Sequence, residues 1–267
     1  DTGYRQYKLM VKELATGAVS PPVTERVTSL AWANDNRTLF YTTEDETTKR
    51  SNKLFRHRLG GALGGEAELV YEETDELYRL QVGKTRSKAY IFIVSVSSTT
   101  SEARYVPADE PMAAPKLLLA RREDHEYYPD HHGSRFFIRT NDKGRNFRLV
   151  EAPVADPGEK NWHEMLAHRD DVMIEDIDCF TGHLVVSDIT GGLPRLTVTD
   201  LATGTAHAIT FPEPVYSAYP HMNAEFATTK FRFGYESFVT PRSVFEYDLS
   251  SRARTLLKQT EVLGGYD

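Results

Sequence analysis

The sequence is poor in cysteine: Cys179 is the only one in 267 residues, so no disulfide can form within the chain. That scarcity favours a reducing, cytoplasmic setting. Long apolar runs are missing too. Nothing approaches the ~18 consecutive apolar residues of a membrane span, and no secretory leader is recognisable. The chain opens on Asp1-Thr2-Gly3 without a methionine, which reads as an excised piece of something longer. Basic charge is in deficit, with 32 Lys and Arg against 39 Asp and Glu and a net charge of -7. The arginines are scattered among acids and form no stripe, which argues against nucleic acid as a partner. Helical periodicity is absent as well: no stretch sustains apolar residues at 3.6-residue spacing. With 27% charged and 11% aromatic residues, the chain is nonetheless a folded globular one.

What is present is period two. Phe231, Phe233 and Tyr235 alternate with Arg232 and Gly234, and Phe245, Tyr247 and Leu249 alternate with Glu246 and Asp248. Such alternation marks strands with one buried face. A longer period lies above it. Leu119-Ala-Arg-Arg-Glu-Asp124 is echoed by Leu166-Ala-His-Arg-Asp-Asp171, and Leu14-Ala-Thr-Gly17 by Leu201-Ala-Thr-Gly204. Apolar anchors Val23, Val70, Leu119, Leu166, Ile209 and Leu257 follow at intervals of 47, 49, 47, 43 and 48 residues. Within each period four short strands are separated by turn signals such as Asn141-Asp142-Lys143-Gly144. Four strands per ~47 residues predict an all-β chain of β-propeller blades, each a four-stranded antiparallel sheet. Five complete units are expected, at 28–71, 76–120, 125–167, 172–210 and 215–258. Residues 4–27 supply the last two strands of a partial unit before them. Two stacked β-sandwiches are the alternative, but they would not explain so regular a period.

The chemistry-bearing residues are dispersed. No G-x-S-x-G nucleophile turn occurs, and Gly133-Ser134 belongs to a strand-linking turn. Cys179, in an apolar run, reads as core rather than nucleophile. His163-Glu164 and His168 resemble a zinc-protease motif, but the i, i+5 spacing parts the two rings. His125, His131 and His132 sit at strand and turn positions. No metal site is expected from them. Glu175-Asp176 with Asp178, and Glu44-Asp45-Glu46, are candidate carboxylate pairs for a self-contained propeller glycosidase, one alternative function. A non-catalytic interaction scaffold is the other, although the WD signatures that would favour it are missing. Acids gather at the unit boundaries: Glu72, Glu73, Asp75 and Glu76; Glu123 and Asp124; Asp170 and Asp171. The topology of a four-stranded blade puts these boundaries at the same end as the Glu44–Glu46 loop, predicting one acidic face, which reads first as a solvated, solubilising rim and second as a surface that attracts cationic peptides. Arg121, Arg122 and Arg169 lie beside these acids and would blunt the field.

Seven stretches carry a family resemblance: Tyr4-Arg-Gln-Tyr7, Val70-Tyr-Glu-Glu73, Thr99-Thr-Ser-Glu102, Asp124-His-Glu-Tyr127, Asn146-Phe147, Phe231-Arg-Phe-Gly-Tyr235 and Leu257-Lys-Gln-Thr-Glu-Val262. Through them the chain resembles the propeller domain of the oligopeptidase B group in the prolyl oligopeptidase family of serine peptidases. The resemblance implies a seven-bladed propeller capping an α/β-hydrolase domain that holds the catalytic Ser, Asp and His. It also implies cleavage of short peptides after Arg or Lys, a cytoplasmic enzyme, and no cofactor. On this reading residues 1–261 are propeller and 262–267 the stub of a linker to the hydrolase domain. The chain itself would carry no catalytic residue and be inactive alone. Its partners would be short cationic peptides and its own hydrolase domain, with no nucleic acid and no membrane. Arg5, Asp124, His125 and Glu126 are the residues expected at the channel or the domain interface. The edges of the first and last blades are expected to support self-association.

Overall fold

The computed structural model of the chain describes residues 3, 5–60 and 64–265. Tyr4 of the Tyr4–Tyr7 stretch and the end of the 262–267 segment lie outside these described residues. The chain divides into two compact units, Asp1–Tyr128 and Pro129–Asp267. Both are built from antiparallel strands joined in sequence order.

In the first unit, β1 (Tyr7–Leu9), β2 (Thr24–Trp32), β3 (Thr38–Glu44), β4 (Ser51–Leu59) and β5 (Gly65–Glu72) form one sheet. A second sheet follows from β6 (Arg79–Lys84), β7 (Tyr90–Val96), β8 (Ser101–Pro107) and β9 (Lys116–Leu119). The partial leading unit is there, but its boundary is not a loop. The first half of β2 pairs with β1 (Tyr7↔Val27, Leu9↔Thr24), and its second half pairs with β3 (Ser29↔Thr42 through Trp32↔Leu39). Between the halves Arg26 adopts φ 61, and the register shifts between Val27 and Ser29. One strand thus serves two units by bending at a bulge.

β10 (Tyr127–His132) runs through the unit boundary and opens the third sheet with β11 (Arg135–Thr140), β12 (Arg148–Pro153) and β13 (His163–Leu166). A 3-10 turn (Glu159–Asn161) precedes β13. The fourth sheet holds β14 (Val172–Cys179), β15 (His183–Thr190), β16 (Leu193–Asp200) and β17 (Ala206–Ala208). The fifth holds β18 (Tyr216–Pro220), β19 (Lys230–Ser237), β20 (Ser243–Asp248) and β21 (Arg254–Gln259). Five four-stranded antiparallel units with β1 as the remnant of another are the expected propeller blades. The third unit opens later than expected: β10 begins at Tyr127 rather than at residue 125, because Asp124 and His125 bond to Thr100 and Ser101 at the crossing.

The alternating residues become the cores. Phe40 and Leu54 of the first sheet pack with Leu80, Ile91 and Ile93 of the second, while Leu39 and Tyr41 pack with Leu9 and Val27 on the other side. Both faces of β3 are therefore buried, which is why Leu39-Phe40-Tyr41 reads as a continuous apolar run. In the second unit Phe231, Phe233 and Tyr235 of β19 meet Val185, Leu196 and Val198 of the fourth sheet, with Phe180 beneath. Cys179 is wholly buried and reduced, as a core residue.

Candidate functional site

Three crossings from one sheet to the next are held by the same device. The turn between the second and third strands of a sheet grips the chain that leads into the following one. At the first crossing Arg50 donates to the carbonyl oxygens of Glu73, Asp75 and Tyr78 at 3.0–3.1 Å. At the second, Ser101 Oγ accepts from Tyr127 N and donates to Tyr127 O, both at 2.7 Å, while Thr100 Oγ1 accepts from Asp124 N at 3.0 Å. At the third, the Asn146 carboxamide donates to the carbonyls of Arg169 and Asp170 at 3.0 and 2.9 Å. The fourth such turn is Gly191-Gly192, both at positive φ, with no side chain to reach across. The loop carrying Glu44–Glu46 and the first crossing therefore do share one end of the sheet, as the topology predicted.

The second crossing brings three of the family-like stretches together, with Arg121 at the centre. Its guanidinium bonds Glu73 at 2.5 Å and Glu102 at 3.2 Å, stands 3.9 Å over the Tyr78 ring, and its backbone N–H donates to Glu102 Oε2 at 3.0 Å. Arg104 pairs with Glu102 as well and lies 4.4 Å over Tyr71. The Tyr71 hydroxyl donates to Glu73 at 3.3 Å. Both carboxylates are buried. Burial pushes Glu73 up, but Arg121, Ser95 and the Asp75 N–H outweigh it and hold the carboxyl below its ordinary value. Glu102 is likewise held low, its burial outweighed by the backbone and side chain of Arg121 and by Arg104. Burial pulls Arg121 down, yet its two partners raise it well above the usual arginine value. The network is a charged joint that ties the end of the first sheet to the second within one unit. Sequence reading noted Arg121 only as a charge beside acids. The one signal was the Leu119–Asp124 echo at Leu166–Asp171, which marks the two crossings.

The other expected residues are dispersed around this frame. Asp124 is exposed at φ 57, a left-handed conformation that Asp tolerates. His125 is 2% exposed, with its ring 5.5 Å from that of Tyr127 and its carbonyl accepting from Ser101 N. Glu126 is half-buried and accepts from the Tyr128 hydroxyl at 2.8 Å. Arg5 is exposed ahead of β1, away in sequence from that cluster. His163 heads β13 and is exposed, whereas His168 lies so close to Gly144 (φ 154) that a Cβ there would stand 2.3 Å from the ring Nε2. Among the described residues no three His, Cys, Asp or Glu side chains gather as a metal site requires. Glu175 and Asp176 are both exposed where the β14–β15 register shifts. Some of the acids at this end are ion-paired: in the loop Arg26 faces Glu44 and Glu46 at 3.3 and 3.6 Å, and at the boundaries Lys53 faces Glu72 at 3.7 Å and Arg169 faces Asp171 at 2.5 Å. No described helix is long and apolar enough to cross a membrane.

Four-stranded antiparallel sheets repeated in sequence order are the blade pattern of a β-propeller. Residues 1–260 match the family described as prolyl oligopeptidase, N-terminal beta-propeller domain, and the chain belongs to it. It is 38% identical over 267 residues to dipeptidyl aminopeptidase BI of Pseudoxanthomonas mexicana, covering 99% of this chain and 36% of that protein. It is 29% identical to protease 2 of Moraxella lacunata, covering 99% of the chain and 38% of that protein. Among solved structures, oligopeptidase B from Leishmania major superposes with a TM-score of 0.85 at 27% identity, over 96% of this chain and 37% of the other. Oligopeptidase B from Trypanosoma brucei, with covalently bound antipain, gives 0.82 at 25% identity, over 89% and 35%. The chain thus spans little more than a third of the length of these relatives.

Proposed function

We propose that the chain is the propeller of a serine-type oligopeptidase that cleaves short peptides after Arg or Lys, with the Ser, Asp and His supplied by a hydrolase domain outside these 267 residues. The observation that carries this reading is the match of residues 1–260 to the propeller domain of the family. The propeller acts by access: it excludes folded proteins and admits flexible peptides, so selection is by size before any transition state is reached. The net charge of -7 favours cationic peptides by long-range attraction. Residues 262–267 lead toward the hydrolase domain, Arg5 pairs across the domain interface, and Asp124 and Glu126 flank the peptide path. Alone, the chain turns over no peptide.

One observation favours a second reading. The relative at 38% identity is named a dipeptidyl aminopeptidase, an activity that counts two residues from a free N-terminus. A single assay separates the two. The full-length gene product is offered N-terminally blocked Arg- or Lys-peptides and unblocked dipeptidyl substrates. Turnover of the blocked peptides supports the oligopeptidase reading, and turnover of the unblocked ones alone replaces it. Turnover by the 267-residue chain itself, abolished by a serine-directed acylating reagent, would overturn both. In the full-length enzyme Arg5→Glu is expected to alter kcat or KM, and unchanged kinetics would remove Arg5 from the interface.

A further inference from the structure

The fourth and fifth sheets enclose a depression of about 290 Å3 with an unusual lining. Its polar lining residues are His207, Thr210, Tyr247, Arg252 and Arg254, and Ala208 and Ile209 complete the wall. No Asp or Glu lines it, in a chain that carries a net charge of -7. Arg135, Arg148, Arg169, Arg195 and Arg232 of the same unit each face a carboxylate within 3.4 Å. Arg252 and Arg254 make no ion pair among the described residues. The acids in the flanking turns are already engaged. Asp248 accepts from Ser250 N and Ser251 N and from Thr229 and Lys230. Asp200 accepts from the N–H groups of Ala202 and Thr203. Two positive charges therefore line one hollow with no carboxylate among its lining residues, Arg254 standing 5.7 Å over the Phe245 ring.

The donors are positioned rather than loose at their base. Arg252 sits at φ 64, with its N–H bonded to Asp248 O at 2.8 Å, so the turn fixes where its side chain begins. The Tyr247 ring is buried, and its hydroxyl lies 2.9 Å from His207 Nε2. Burial, then Arg252 and His183, hold His207 below its ordinary value of 6.5, so the imidazole is neutral at pH 7. When Nε2–H of that neutral ring donates to the Tyr247 oxygen, the phenolic hydrogen is free to point at a ligand. Burial lifts the Tyr247 phenol, while Arg252 and Arg254 both pull it back, so both guanidinium fields reach the hydroxyl.

We propose that this hollow binds a phosphate group, clamped between the guanidinium forks of Arg252 and Arg254 with the Tyr247 hydroxyl as a third donor. A dianion matches the two uncompensated charges, and the planar forks suit its oxygens. The phosphate is either free or carried as a monoester on a small molecule, and these two sources share the same chemistry at the clamp.

The test is titration calorimetry of the purified protein with inorganic phosphate and with phenyl phosphate, at matched ionic strength against chloride and acetate. Saturable 1:1 binding of phosphate is expected, with each of Arg252→Gln and Arg254→Gln weakening it by about tenfold. Tyr247→Phe should cost less than either. Tighter binding of phenyl phosphate identifies a monoester as the ligand; equal or weaker binding identifies free phosphate. The proposal fails if phosphate produces no saturable heat, if chloride matches it, or if the protein carrying both Arg252→Gln and Arg254→Gln, the double variant, binds equally well. Far-UV circular dichroism checks folding, and Arg254→Lys, which keeps the charge but loses the fork, provides the same readout should the double variant unfold.

Discussion

Arg121 neutralises two carboxylates that lie deep in the joint before the third sheet, and its removal should be felt as a buried charge left without its partner. Replacing Arg121 with Met is expected to destabilise the protein by roughly 3–5 kcal/mol, the usual consequence of breaking a buried ion pair from one side. The same substitution combined with Glu73→Gln alone should recover most of that loss, because Glu102 keeps Arg104 as its partner and no charge is left buried without one. Denaturant unfolding of the three proteins measures both effects. A loss below about 1 kcal/mol for the single change would show that the joint is held by other contacts. The role of Arg121 was not legible in the sequence: Glu73 is 48 residues away, and only the crossing brings the two side chains together. The same holds for the basic hollow, since His207 lies 40 residues from Tyr247 and in a different sheet.

The strands themselves were largely legible. Period-two alternation buries one face of β19 and β20, and glycine and asparagine mark the turns, so the element order follows from local chemistry. Misplacements fell where backbone bonds serve a crossing, as at 124–126, or where one strand feeds two units, as in β2. Neither leaves a mark on alternation. Within β19, Gly234 is required by packing, since a Cβ there would stand 2.4 Å from the Tyr219 ring of its cross-strand partner. Gly234→Ala is therefore expected to cost about 1–3 kcal/mol by overpacking. Tyr219→Ala in the same background should relieve the clash, and thermal melts of a double-mutant cycle test this; additive losses would deny it. β21 is exposed along its whole length, Leu257 included. Its edge is expected to support self-association through strand pairing. Arg254 and Lys258 oppose that pairing by like charge, so sedimentation should show association growing with salt, and Leu257→Lys should suppress it. A monomer at every concentration and salt would remove this edge from consideration.

At the scale of the whole molecule, repeat length made the propeller legible because each unit solves the same burial problem at the same spacing. Function was legible only through resemblance, since among the described residues no side chains gather as a metal site and those that hold the blades together are occupied in bonding backbone. Stability against pH, by contrast, follows from the chain's own groups. Burial holds both His57 and His131 below 6.5, in the second case against the opposing pull of the Gly133 N–H and Asp130, with the His132 ring reinforcing the burial. Once unfolded, each takes up a proton near 6.5 that the folded protein refuses, so their contribution is complete above that pH and declines as pH falls toward the folded values. Glu73 and Glu102 sit below their ordinary 4.5 when folded. Their contribution is present above 4.5 and is lost as pH falls through those lower folded values. Both sets act in the same direction but in successive windows. Urea midpoints measured from about pH 8 to 3 should be level above about 7, decline gently from about 6.5, and fall more steeply below about 4.5. The His57→Gln, His131→Gln double variant should make the first decline shallower, His207 supplying what remains, and leave the second, while Glu73→Gln with Glu102→Gln and Arg121→Met should soften the second alone. Stability that rises as pH falls from 7 to 5 would contradict the assignment of neutral buried histidines.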